Sequence, residues 1–180
     1  GDAPEVMAAT VGRRRENVEL EVVDDAGRSC PLGTVGRVRC RSGAVMRGYW
    51  HDPERTAEVL ASDGWLSTGD LGRLDERGYL TLVGRRSEMY IRGGYNVYPA
   101  EVERVLSAHP DVVQVAIVGI PDRVLGEIGV AFVVAAAGAV PVLEDLRAAV
   151  RSVLADYKAP DRLVVVPDLL LTAMGKVDRK

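Results

Sequence analysis

The chain has 180 residues, 47% of them hydrophobic, and a formal net charge of −3, which is enough apolar content for one large domain or two small ones. No apolar run approaches the roughly 18 residues of a membrane span, and the N-terminus lacks the basic-then-apolar order of a secretory leader, so a cytoplasmic protein without a transmembrane segment is expected. The acidic balance argues against a globally basic nucleic-acid surface, and Cys30 and Cys40, with neither a CxxC pair nor histidines beside them, read as plain thiols rather than a zinc site or disulfide framework.

In chain order, Val18, Leu20 and Val22 alternate with Glu19 and Glu21 until DDAGR breaks the run, the pattern of a half-buried strand ending in a turn. GRVRCR repeats it, with Val38 and Cys40 on one face and Arg37, Arg39 and Arg41 on the other. Asp52 suits an N-cap and Pro53 the first helical position, so a short helix is expected up to Leu60. GRL and YLTLV then flank DERG, the spacer of a hairpin.

From Arg85 onward helices and strands alternate. PAEVERVLSAH predicts a helix from Pro99 that carries Glu101 and Glu103 in its first turn, aligns Val102, Val105 and Leu106 on one face, and stops at Pro110. VVQVAIVGI and IGVAFVVAA are β-branched strands separated by PDRVLGE, and Leu143, Leu146, Val150, Val153 and Leu154 mark a second amphipathic helix before the last strand, RLVVVPD. This order predicts a small α+β domain, a three-stranded sheet with packed helices. Residues 1–84 hold 11 basic and 14 acidic groups while residues 85–180 hold 12 of each. A boundary is therefore expected near Arg85 to Ser87, dividing a β-rich region 1–85 from a region 86–180.

Three stretches carry candidate chemistry. Asp70 in STGD and Arg85 in VGRR stand at the two ends of the predicted hairpin; carboxylate and guanidinium could grip a ribose diol, or form a surface salt bridge. In RGGYNVYP, Gly93 and Gly94 either admit a ligand close to the backbone or supply positive φ in a turn. The tail LTAMGKVDRK is too polar and too short for a core strand or an amphipathic helix, and its Gly175–Lys176 pair lacks the GxxxxGK[ST] context of a phosphate loop. With 20 arginines against three lysines, a lysine at 176 is still informative, because it is a compact charge on a flexible stem; a solvated tail lysine is the competing reading. Neither His51 nor His109 has a partner that would make a metal site.

Taken together and in order, MRGYWHDPERTAEVL, GWLSTGDLGRLDERGYLTLVGRR, MYIRGGYNVYPAEVE, GIPDRVLGEIGVAFVV, LADYKAP and LTAMGKVDRK resemble the adenylate-forming (AMP-binding) superfamily of acyl- and aryl-CoA synthetases, luciferases and peptide-synthetase adenylation domains. GGYNVYPAEVE looks more like the acyl-CoA synthetases. The resemblance covers about residues 33 to 180. It implies that residues 1–85 are the β-rich end of a large N-terminal AMP-binding domain and residues 86–180 a mobile C-terminal lid domain.

The implied reaction is ATP-dependent activation of a carboxylic acid to an acyl-adenylate, followed by transfer to CoA or to a carrier protein. By similarity Asp70 holds the ribose hydroxyls, Arg85 assists at the ribose and phosphate side, and Lys176 binds carboxylate and phosphate oxygens during adenylation. Gly93, Gly94 and Tyr95 line the pantetheine channel in the second step, with Asn96 close to the adenylate. The family's hinge is usually Asp or Lys, and here Ser87 stands at that position, with Glu88 as the alternative. A proline common two residues before the Gly-Lys is Ala173, which is expected to loosen the loop. The family's Gly- and Ser/Thr-rich phosphate loop, its Tyr-Gly-x-Thr-Glu segment and the acid pocket have no counterpart in this sequence, so Mg2+ ligands are expected elsewhere and the chain alone is expected to lack ligase activity. The start at Gly1 fits processing or excision. A non-catalytic module binding CoA or a carrier protein, and luciferase-type oxidation of the adenylate, are the alternatives.

Overall fold

The structure is a computed structural model that describes residues 3–179; Gly1 lies outside them. The chain divides into two compact units, Gly1–Ser87 and Glu88–Lys180. The division falls at the end of the expected range, Arg85 to Ser87, and the Arg86 backbone N–H, which donates to the Gly69 carbonyl (3.0 Å), keeps that residue with the first unit rather than the second.

The first unit opens with a short helix, α1 (Pro4–Ala9), and is built on an antiparallel meander of β1 (Glu19–Val23), β2 (Gly36–Arg41), β3 (Leu66–Leu74) and β4 (Leu80–Arg85). Alternation puts Val22, Val38 and Leu80 together in a small core, with Leu20, Leu74 and the half-buried Cys30 packed against it. The opposite alternation is a charged ladder: Glu19 faces Arg41 and Glu21 faces Arg39, with closest ion-pair distances of 2.7 and 2.6 Å. Trp65 lies beneath both guanidiniums, 4.5 and 4.9 Å from its ring centre, so the arginine face predicted for β2 is a packed surface as well as a solvated one. The helix α2 (Pro53–Val59) begins as the sequence predicts, with the Asp52 carboxylate accepting from the Arg55 N–H at 3.0 Å.

In the second unit the dominant element is the hairpin of β7 (Val112–Asp122) and β8 (Gly126–Ala135), paired from Val112↔Ala135 to Asp122↔Gly126. The expected PDRVLGE spacer shrinks to three residues, because pairing runs on through Pro121 and Asp122, and the Asp122 carboxylate accepts from the Val124 and Leu125 N–H groups at 2.9 Å. β9 (Arg162–Val165) lies parallel to β8, which completes the three predicted strands. A further hairpin of β5 (Tyr90–Arg92) and β6 (Tyr95–Val97) joins β8 through Arg92↔Gly126 and extends the sheet to five strands. Strands of three residues carry too little alternation to register as strands in sequence. The helices α3 (Pro99–Leu106) and α4 (Leu143–Arg151) bury Val102, Leu106, Leu146 and Val150 against Ile117, Ala131 and Val133.

Tyr90 shares this core and is 1% exposed. Its ring lies against the register pair Gly119↔Gly129, where any side chain would collide: a Cβ on Gly119 would fall 2.4 Å from the Tyr90 Cβ, and one on Gly129 2.2 Å from the phenolic oxygen. Among the described residues the buried hydroxyl has no hydrogen-bond partner, and burial pushes its pKa well above the usual phenol range. Two outcomes follow for urea denaturation of the chain. Gly119→Ala should cost about 1–3 kcal/mol by overpacking, whereas Tyr90→Phe, which only removes the unpaired hydroxyl, should leave stability unchanged or raise it.

Candidate active site

The candidate residues gather into three places. In the first unit Asp70 and Arg85 are direct cross-strand partners on β3 and β4. The Arg85 Nε donates to Asp70 Oδ1 at 2.9 Å, and the Arg85 Nη1 donates to the Thr68 carbonyl at 3.2 Å. Thr68 links the pair to β2, since its hydroxyl donates to the Val38 carbonyl (3.1 Å) and accepts from the Asp70 N–H (3.1 Å). The Asp70 side chain is 23% exposed and that of Arg85 51%. This is a fixed carboxylate and a solvent-facing guanidinium, an acceptor beside a cation, which suits a hydroxyl-bearing anion. It is also a salt bridge, so both readings of the residues describe one geometry.

In the second unit Gly93 and Gly94 are the two turn residues of the β5–β6 hairpin, closed by Arg92↔Tyr95. Their φ values of 56° and 86° are left-handed, the pairing of a type I′ turn, which few residues other than glycine or asparagine adopt. The Gly93 N–H donates to the Leu125 carbonyl at 2.8 Å. Tyr95 and Asn96 are exposed on the same hairpin.

Lys176 sits on a second tight hairpin, at the end of the chain. Leu171 pairs with Val177, the Thr172 N–H donates to the Lys176 carbonyl (2.7 Å), and the Gly175 N–H donates back to the Thr172 carbonyl (2.9 Å). The Thr172 hydroxyl accepts from the Lys176 N–H at 3.3 Å, so the stretch closes on itself even with Ala173 in place of proline. The ammonium is exposed and has no ion-pair partner among the described residues. Ser87 is exposed at the end of the first unit, and Glu88 opens the second. Among the described residues no group of three or more His, Cys, Asp or Glu side chains could hold a metal ion, and no helix is long and apolar enough to cross a membrane.

Residues 101–176 match the family model of the AMP-binding enzyme C-terminal domain. That match lies within the second unit. Over 176 residues the chain is 40% identical to 3-[(3aS,4S,7aS)-7a-methyl-1,5-dioxo-octahydro-1H-inden-4-yl]propanoyl:CoA ligase of Rhodococcus jostii (strain RHA1), covering 98% of this chain and 32% of that protein. It is 39% identical over 188 residues to the medium/long-chain-fatty-acid–CoA ligase FadD8 of Mycobacterium tuberculosis, covering 100% of this chain and 33% of that protein. Among solved structures, the amide bond synthetase McbA of Marinactinospora thermotolerans matches with a TM-score of 0.88 and 48% identity, over 96% of this chain and 35% of that one. The o-succinylbenzoate CoA synthetase MenE of Bacillus subtilis, in complex with its acyl-adenylate intermediate, matches with a TM-score of 0.91 and 31% identity, over 99% of this chain and 37% of that one. The chain thus spans about a third of the length of these relatives.

Within and beside the matched residues, sequence reasoning missed the residues that hold the two hairpins. Arg179 fastens the Lys176 hairpin: its Nη1 donates to Glu103 Oε1 (2.7 Å) and to the Ile117 carbonyl (3.0 Å), and its Nε lies 3.5 Å from Glu88 Oε2. Glu103, read from sequence as a first-turn acid, also accepts from the Ile117 N–H at 2.8 Å and so ties α3 to β7 as well as to the tail. The signal was present only as an Arg three residues after Lys176. Arg179→Ala should therefore speed amide exchange at Thr172 and Asp178 and cost about 1–2 kcal/mol, the scale of charged hydrogen bonds discounted for partial exposure. Arg179→Lys, which keeps the charge and loses the fork, should fall between.

Proposed function

We propose that this chain is part of an ATP-dependent, AMP-forming acyl-CoA synthetase. The observation that carries the reading is the second unit itself: its residues 101–176 match the AMP-binding enzyme C-terminal domain, and it presents on one closed hairpin a lysine without an ion-pair partner among the described residues and on another a Gly-Gly turn. The relatives' names supply the acceptor, since those cited above include three CoA ligases or synthetases.

In the first half-reaction a carboxylate oxygen of the acid attacks the α-phosphorus of ATP, and the bond from that phosphorus to pyrophosphate breaks. Negative charge gathers between two anions, and the Lys176 ammonium, carried there on its hairpin, offsets it. Asp70 accepts from the ribose hydroxyls, and Arg85 both fixes the carboxylate and faces the phosphate side. In the second half-reaction the thiol sulfur attacks the acyl carbon, the bond from that carbon to the AMP oxygen breaks, and the thiol proton leaves to solvent. Gly93 and Gly94, without side chains, and Tyr95 line the thiol's path, with Asn96 beside the adenylate. Rotation about Ser87, or its neighbour Glu88, exchanges the two hairpins between steps. In this reading Mg2+ accompanies the ATP phosphates.

A second reading concerns the acceptor alone. The 48% identity to an amide bond synthetase favours an amine in place of the thiol, with the same adenylation step. Transfer to a carrier-protein thiol keeps the same chemistry. Supplying the full-length enzyme with preformed acyl-adenylate and, in parallel, CoA, a carrier protein or an amine decides among them. Thioester formation with CoA is expected; amide product without thioester would move the assignment to amide synthesis.

Lys176→Ala in the full-length enzyme should slow adenylate formation by about 10²–10³-fold, the scale of a lost charge-stabilising donor. Thioester formation from preformed adenylate should fall by less than about tenfold, because that step places no new charge at the lysine. Equal losses in pyrophosphate exchange and in thioester formation would contradict the role given to Lys176.

A further inference from the structure

The motif LADYKAP, which no assigned role uses, folds into a short 3₁₀ turn (Asp156–Lys158) and the approach to β9, and its Tyr157, together with Asp161 just after the motif, reaches the Gly-Gly hairpin. The Tyr157 ring stacks on Tyr95, with centres 4.7 Å apart and planes 22° from parallel. Asp161 takes both the Nε and Nη2 of Arg92 at 2.9 and 2.6 Å, and accepts from the Gly129 N–H at 3.2 Å. Between them, Lys158 pairs with Glu101 at 2.5 Å, in the first turn of the helix that follows the hairpin. Asp156 is fixed by an ion pair with Arg151 of α4.

Arg92 and Tyr95 are the two residues that close the Gly93–Gly94 turn. One segment therefore grips the turn on both flanks. The two glycines are the positions with most conformational freedom in the hairpin, and outside support decides which geometry they hold. That support exceeds what packing needs. Tyr95 is 59% exposed and contributes no side chain to the core, which the hairpin enters only through Tyr90 and Val97.

We propose that the segment Asp156–Asp161 is a brace that presets the Gly93–Gly94 turn for the incoming acceptor, with Tyr157 and Asp161 as positioning residues for acyl transfer. This rests on the acceptor reading given above, and it adds that the brace serves the second half-reaction and not the first. Tyr157 packs against the core of the domain and stacks on Tyr95 of the Gly-Gly hairpin, whereas the Lys176 hairpin is fastened separately by Arg179.

The test uses Tyr157→Ala, with Tyr157→Phe as the conservative rescue, because Asp161→Asn would also disturb the junction of β8 with β9. In the 180-residue chain, Tyr157→Ala should speed exchange of the Gly93 amide by about three- to tenfold, the factor an aromatic pair is worth. Exchange within β7–β8 should rise by clearly less than at Gly93, and Tyr157→Phe should restore the wild-type rate. In the full-length enzyme Tyr157→Ala should raise the KM for CoA in transfer from preformed adenylate by about three- to tenfold on the same basis. Pyrophosphate exchange should stay at the wild-type rate, and Tyr157→Phe should again rescue. Unchanged Gly93 exchange overturns the brace. Faster exchange without a change in KM overturns its role in transfer. A wild-type enzyme that acylates no CoA overturns the acceptor reading alone, and the Gly93 comparison then still decides the brace.

Discussion

The β7–β8 ladder is the constraint on which the second unit depends. Its ten paired positions give β9 a parallel partner, give β5 a register partner at Gly126, and provide the floor on which α3 and α4 bury their apolar stripes. Two glycines opposite each other at 119 and 129 leave a slot that only a flat ring without competing side chains can fill, and Tyr90 fills it. Filling it costs an unpaired hydroxyl. The return is that the first strand of the unit, just past the division between the units, is locked to the sheet before the Gly-Gly turn begins.

Both candidate hairpins are then tied back to that ladder by arginine forks. Arg92 reaches Asp161, which also holds the Gly129 N–H; Arg179 reaches the Ile117 carbonyl and Glu103, which also holds the Ile117 N–H. In each case one carboxylate satisfies both a guanidinium and a backbone amide of the ladder. The arrangement is paired and hydrogen-bonded while only partly buried, so it gives position more than stability. In a chain with 20 arginines, the lysines stand apart for what they are asked to do. Lys158 is paired with Glu101, while Lys176 is left exposed with its charge uncommitted.

Much of this was legible in the sequence because the signals were local. The Asp52–Pro53 cap, the alternation around Val22 and Val38, and the apolar stripe of Val102 and Leu106 each follow from neighbouring residues, and each is present. The β5–β6 hairpin was not legible, since three-residue strands have no measurable period and Gly93–Gly94 described only the turn between them. The Asp70–Arg85 pair was visible as a spacing, and β3–β4 register makes it a contact. Arg92–Asp161 and Arg179–Glu103 join residues 69 and 76 positions apart, and no periodicity carries that information. Order and spacing of the motifs pointed to the family; the long-range pairs that fasten the two hairpins are set by the fold.

The central claim is that one small domain holds two hairpins on separate anchors so that each serves one half-reaction. The most direct measurement is the double variant Arg179→Ala/Tyr157→Ala in the full-length enzyme, with adenylate formation and acyl transfer assayed apart. Separate anchors predict that adenylation in the double variant equals that of Arg179→Ala and that transfer equals that of Tyr157→Ala, within about 0.5 kcal/mol, the limit for independent sites. A double variant in which either step departs from its single-variant value by more than this would show that the hairpins are coupled, and the account of two independent faces would fail.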